Sequence, residues 1–242
     1  MKLGKNEIFL FSGDSITDGN RGKSMDCNHI MGHGYQYIIA GRLALENAEN
    51  MPRFINKGYS GWNAVDLLEK WNEDVIVNKP TLLSILVGVN EGSFGYFNGL
   101  TPEEAKERYE TNLRKILEIT RKELGNIKII LCEPFYFPLD KSDHSYKNTP
   151  HIDGVEKHFS RPDSNDPEDS VTYREAVNGM IRAVAPKIAE DYGCAFVPLY
   201  DRIREEAARS MMEYFIWDGT HPTVACHTLI ADEWMKVAEK LF

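Results

Sequence analysis

Ser15 lies in the stretch FLFSGDSITDG, Phe9 to Gly19, where an apolar run stops at a glycine and an acid and a serine follow. A serine hydroxyl is a weak nucleophile. It attacks a carbonyl only when a base lies within hydrogen-bond reach and an acid orients that base. Late in the chain, DGTHP sets Asp218 three residues before His221. At that spacing one carboxylate can fix one ring nitrogen while the other nitrogen faces a serine. Acyl transfer also needs rigid donors for the oxyanion. Gly61, in NKGYSGW, offers a backbone amide with no side chain in the way, and Asn90, in GVNEG, offers a side-chain amide. The backbone amide of Ser15 would be a third donor. Taken singly, each residue has a plainer role. Ser15 reads as a helix cap, Asp218 as a cap beside a surface histidine, and Gly61 and Asn90 as turn residues. It is their joint occurrence, each just beyond a separate element, that points to chemistry.

Other titratable residues compete less well. His227 lies inside the helical pattern ACHTLIADEW without an acid at the same close spacing. His29 and His33 fall in a glycine-rich loop and could line a pocket. His144, His151 and His158 match no standard metal-site spacing and read as loop residues. Cys27, Cys132, Cys194 and Cys226 are scattered and read as thiols.

Positioning such groups is the task of the elements between them. Short apolar runs, EIFLF, RFINKGY, TLLSILVG, IKIILCEPFY and CAFVPLY, alternate with longer helical patterns. The helical patterns are YQYIIAGRLALENA, NAVDLLEKWNEDVI, TPEEAKERYETNLRKILEITRKELG and SVTYREAVNGMIRAVAPKIAEDYG, with a last helix from about Thr223. Thr101, Pro102 and Glu104 predict a capped helix start, Gly125 its end, and Pro186 a kink or break in its own helix. Alternation of near-continuous apolar strands with helices predicts a parallel sheet covered on both faces. In such sheets ligands bind beyond the C-terminal ends of the strands, where the candidate residues fall. From Pro138 to Ser170 the chain is polar and weakly periodic, which reads as an insertion beside the site within a single domain of 242 residues.

The net charge of −9 speaks against nucleic acid and anionic membranes as partners. No apolar run approaches a membrane span, and the IFLF run near the start is too short for a signal peptide, so a cytoplasmic location is expected.

With these residues in place, the chain resembles the SGNH (GDSL-type) hydrolases. FSGDSITDG is similar to the family's nucleophile block, with Ile16 where many members have leucine. NKGYSG, GVNE and DGTHP are similar to the later blocks and fall in the family's order. The resemblance implies a three-layer α/β/α sandwich around a five-stranded, mostly parallel sheet, and a serine esterase. It implies Ser15 as nucleophile, His221 as base and Asp218 as its orienting acid. Ser15, Gly61 and Asn90 would form the oxyanion hole, with Asp14 and Glu91 as supporting residues and no metal or cofactor. Glu91 departs from the usual Gly-x-Asn-Asp of the third block by one methylene. GDSITDGNRG, INKGYSGWNAVDLLEKWNEDVI and WDGTHP are similar to intracellular acetyl-xylooligosaccharide esterases. That implies an acetylated carbohydrate as substrate and leaves homo-oligomers open. Two alternatives stand beside it. One is a lipase, lysophospholipase or thioesterase, with Tyr59, Trp62, Phe94, Tyr96, Phe97, Phe135, Tyr136 and Phe137 available to line an acyl groove. The other is a catalytically silent glycan-binding protein.

Overall fold

The computed structural model describes residues 1–22, 26, 29–139 and 167–242. Five strands, β1 (Ile8–Gly13), β2 (Arg53–Gly58), β3 (Leu82–Leu86), β4 (Lys128–Cys132) and β5 (Ala195–Val197), form one sheet in the order β2-β1-β3-β4-β5. Every neighbouring pair is parallel. The strand alternation divides the core into two layers. Phe9, Phe11, Leu82, Leu86, Ile130 and Cys132 face one side, against the helices α2 (Tyr35–Glu46) and α8 (Val224–Ala238). Leu10, Leu83, Ile85, Ile129 and Leu131 face the other, against α3 (Ala64–Asp74), α5 (Pro102–Leu124) and α6 (Glu168–Asp191). This is the expected three-layer α/β/α sandwich. Two buried indoles find partners: Trp234 Nε1–H of α8 donates to Ser84 Oγ of β3 at 3.0 Å, and Trp71 Nε1–H of α3 to Thr120 Oγ1 of α5 at 2.8 Å.

α5 begins as its sequence predicts. Thr101 and Glu104 make a reciprocal capping box, Pro102 opens the first turn, and Gly125 follows the end at φ +66°. Pro186 does not break its helix. α6 runs through it because Ile181, Ala185, Ile188 and Ala189, on both sides of the proline, are buried in the same layer. Three helices go beyond the sequence reading: α1 (Ser15–Asp18), α4 (Val89–Phe97) and α7 (Tyr200–Ala207). α4 falls on VNEGSFGYF, whose two glycines mask a helical signal. At Gly95 an added Cβ would lie 2.4 Å from the Tyr173 hydroxyl of α6 and 2.9 Å from the Ala105 Cβ of α5, so the glycine lets α4 pack close to both. Most of the expected insertion, including His144, His151 and His158, lies outside the described residues, as does Cys27. Its last residues, Glu168–Ser170, open α6. No helix among the described residues is long and apolar enough to cross a membrane.

What positions the site is the register. Gly13 pairs with Gly58 of β2 and Leu86 of β3, so these three strands end level with one another. Chain order reverses on either side of β1, so β1 and β3 flank the switch point beyond which ligands bind in such sheets.

Candidate active site

β1 continues two residues past its apolar run, through Ser12 to Gly13, and this carries the next residues to the sheet edge. Gly13 has no room for a side chain, since a Cβ would lie 2.2 Å from the Leu86 carbonyl oxygen. Asp14 then caps α1 by accepting from the Ile16 amide at 3.0 Å, and Ser15 stands as the first helical residue. The tight turn thus aims the Ser15 hydroxyl outward, beside the first amides of α1.

His221 reaches this serine from the loop between Ile216 and Pro222, which is closed by a bridge between those two residues. Gly219 sits in that loop at φ +89°, and its carbonyl accepts from the Phe137 amide at 2.9 Å. The loop is therefore pinned to the segment that follows β4. Asp218 Oδ2 lies 2.6 Å from His221 Nδ1, and Asp218 Oδ1 accepts from the amides of Thr220 at 2.9 Å and His221 at 2.6 Å. A carboxylate only accepts, so Nδ1 carries the ring proton and Nε2 is left to accept. Nε2 lies 2.8 Å from Ser15 Oγ, completing an unbroken chain from carboxylate to hydroxyl.

The charges reinforce this chain. Burial raises the Asp218 carboxyl, but the His221 hydrogen bond and charge and the two amides outweigh it and hold it below its ordinary value. Burial likewise disfavours the His221 cation, yet Asp218 and then Asp14 raise it above its ordinary value against the opposing charge of Arg174. Asp14 is almost fully buried, and that burial pushes its carboxyl up to about 7. Trp217 lies flat on the imidazole, with ring centroids 5.9 Å apart at 26°, and is 38% exposed.

The other two strand ends bring in Gly61 and Asn90. The Tyr59 amide donates to the Gly13 carbonyl at 3.0 Å, which starts the second loop beside the first. Gly61 adopts φ +83° there, a conformation that favours glycine. Gly88, at φ +139°, turns β3 into α4, and Asn90 Nδ2–H donates to the Trp62 carbonyl at 2.9 Å. A primary amide has a second N–H to offer. Glu91 is fully buried. Its Oε1 accepts from the Ala64 amide at 2.9 Å and its Oε2 from Arg108 Nη1 at 2.5 Å. Burial raises the Glu91 carboxyl, with Ala64 and Arg108 opposing.

The competing histidines are elsewhere engaged. His227 Nδ1 accepts from the Tyr35 amide at 3.1 Å, and burial, with His221 and His33 nearby, lowers it to about 4. His29 pairs with Asp26 at 2.7 Å on the surface, and His33 is exposed. Of the aromatic residues, Phe135, Tyr136 and Phe137 are buried in the core, while Tyr59 stacks on Trp62 with ring centroids 3.9 Å apart. Two residues escaped the sequence reading. Trp217 directly precedes Asp218, which was signal enough. Arg108 carried none, lying on a helix rich in ordinary surface charges.

Comparisons with known proteins identify the chain's relatives. The family model of the GDSL-like lipase/acylhydrolases matches residues 11–229. An acetylxylan esterase from Geobacillus stearothermophilus is 30% identical over 240 residues, covering 98% of this chain and 95% of that protein. The crystal structure of an acetylxylan esterase from the same organism aligns with a TM-score of 0.73 at 27% identity, over 98% of this chain and 95% of that one. A protein described as a GDSL-like lipase, from Parabacteroides merdae, aligns with a TM-score of 0.78 at 28% identity, over 98% and 97% of the two chains. The chain belongs to the GDSL-like lipase/acylhydrolase family and is a carboxylic ester hydrolase.

Proposed function

We propose that this esterase removes acetyl groups from acetylated sugars, xylooligosaccharides among them, through an acyl-enzyme on Ser15. The observation that carries the reading is the hydrogen-bond chain Ser15 Oγ–His221 Nε2–Asp218 Oδ2, at 2.8 and 2.6 Å. In the first step His221 Nε2 takes the Ser15 proton as Oγ bonds to the ester carbonyl carbon. The carbonyl oxygen becomes an oxyanion held by the amides of Ser15 and Gly61 and by Asn90 Nδ2. His221 then gives its proton to the departing sugar oxygen, and the C–O bond breaks. Water repeats the sequence on the acetyl-enzyme, releasing acetate and restoring Ser15. Asp218 holds the ring and offsets its charge throughout.

The acetyl-sugar reading draws on the acetylxylan esterase relative and on Trp217. Its exposed ring beside His221 offers a flat apolar face of the kind that sugar rings stack on. Burial of Phe135, Tyr136 and Phe137 removes them from any long acyl groove, which weighs against a lipase or thioesterase. Ser15→Ala should lower kcat on p-nitrophenyl acetate by more than about 10⁴-fold with an unchanged melting temperature. Near-normal turnover by that variant sinks the mechanism. Rates on acetyl, butyryl and octanoyl esters test the substrate: a steep fall with chain length supports a deacetylase, and a rise rejects it. Acetate release from acetylated xylooligosaccharides then tests the sugar.

A further inference from the structure

The proposed oxyanion hole is assembled from two loops on different strands. Gly61 belongs to the loop after β2 and Asn90 to the loop after β3. The register ends the strands level, and Asn90 Nδ2–H reaches the Trp62 carbonyl at 2.9 Å; side chains next to the two donors add a further tie between the loops. Asn63 and Ala64, just after Gly61, open α3, and Glu91, just after Asn90, lies in the first turn of α4.

Arg108, from the second turn of α5, grips both sides. Its Nη1 donates to Glu91 Oε2 at 2.5 Å and its Nη2 to Asn63 Oδ1 at 3.2 Å. Glu91 Oε1 accepts in turn from the Ala64 amide at 2.9 Å. The guanidinium carbon lies 3.9 Å from the centre of the Phe94 ring, one turn further along α4. Asn63 is itself fixed by a capping box with Asp66. A planar fork can hold two oxygens in one fixed geometry, which a lysine ammonium cannot do.

We infer that Glu91 and Arg108 are a positioning pair that sets the spacing of the Gly61 and Asn90 donors, and that the extra methylene of Glu91 is required to span from α4 to both Ala64 and Arg108. This rests on the assignment of Asn90 to the oxyanion hole. An aspartate at 91 would be too short to keep both contacts, although it is the residue common in this block of the family. Neither residue touches substrate. They act through Asn90, so their effect should appear in kcat and should disappear when Asn90 has no amide to position.

The test measures kcat, KM and melting temperature on p-nitrophenyl acetate for Arg108→Met, Arg108→Lys and Glu91→Asp, each alone and combined with Asn90→Ala. Arg108→Met and Glu91→Asp should each lower kcat by about 10- to 100-fold, as a misplaced reacting group does, with KM within about twofold. Arg108→Lys should recover part of that loss. In the Asn90→Ala background the same substitutions should cost less than about twofold further. Arg108→Met leaves a buried carboxylate without its cation. If it fails to fold, the Glu91→Gln/Arg108→Met double variant carries the comparison without a lone buried charge. Fully additive losses with Asn90→Ala, or unchanged kcat in folded single variants, overturn the proposal. If Asn90→Ala itself keeps normal kcat, the oxyanion assignment falls and the pair's role with it. If Asn90→Ala loses about 100-fold or more while Arg108→Met loses nothing, only the positioning role falls.

Discussion

In the proposed mechanism His221 has to be neutral to take a proton from Ser15 and has to hold that proton long enough to deliver it. Burial and Arg174 disfavour its cation, but Asp218 and Asp14 favour it more, so it titrates above the ordinary 6.5. The expected profile of kcat/KM is a rise with pH whose midpoint lies above 6.5, because activity is lost as the base is protonated. Asp14→Asn removes the charge that Asp14 carries when ionised, which its carboxyl, pushed up to about 7, does only in part over the range of this rise. The imidazolium loses that support, and the acid limb moves to lower pH. Asp218→Asn should shift the limb the same way and also lower kcat by about 10⁴-fold. A limb that stays in place for Asp14→Asn would show that this buried acid does not reach the base. At this scale the hydrogen-bonded group of Ser15, His221 and Asp218 was legible in the sequence, because the types and order fit one chemistry, while Gly61 and Asn90 are proposed as donors from their places after β2 and β3. Arg108 was not, because its meaning depends on Glu91, 17 residues earlier and on another helix. Trp217 had a clear place in the sequence, but only the stacked geometry gives it a role.

Elements deliver these side chains, and two kinds of constraint hold them. One is local. Thr101 caps α5 from an exposed position, so Thr101→Ala should cost about 1 kcal/mol, lowering the melting temperature by about 2–4 °C in a chain of this size. The other is the close approach of strands. At Gly13 a methyl group would meet the Leu86 backbone carbonyl at 2.2 Å, and backbone cannot swing aside as a side-chain tip can. Gly13→Ala should therefore lower the melting temperature well beyond the Thr101→Ala value and reduce kcat as well, since it displaces the turn that carries Ser15. Thermal melts and steady-state kinetics on the two variants check the contrast. The five strands and five longer helices were legible because each has a strong period or a clear cap. α1, α4 and α7 were not. α1 is a single turn, α4 is broken up by glycines that pack against α6, and α7 is short and follows its strand closely. The break expected at Pro186 is not found for the opposite reason: a local rule gave way to burial on both sides of it.

The whole molecule carries two buried groups that pull stability in opposite directions. Asp14 ionises near 3.8 when unfolded but near 7 when folded, where burial retains its proton. Across that window the folded chain binds more protons, so this group lowers stability as pH rises. His227 protonates near 6.5 when unfolded but near 4 when folded, where burial and neighbouring histidines disfavour its charge. Across its window the unfolded chain binds more protons, so this group lowers stability as pH falls. The melting temperature of Asp14→Asn relative to wild type should therefore climb from pH 4 to 7. That of His227→Asn should climb from pH 6.5 down to 4. Melts across this range check both, and a flat difference in either series contradicts the assigned burial. The chain order of the site has a further consequence, in time. Ser15 and His221 stand 206 residues apart, and the loop bearing His221 leads straight into α8, which packs on α2. A ribosome therefore delivers the hydroxyl long before its base. If Ser15 and His221 act as proposed, the nascent chain carries a serine that its base cannot yet deprotonate, and esters in its surroundings meet an inert protein until α8 has docked.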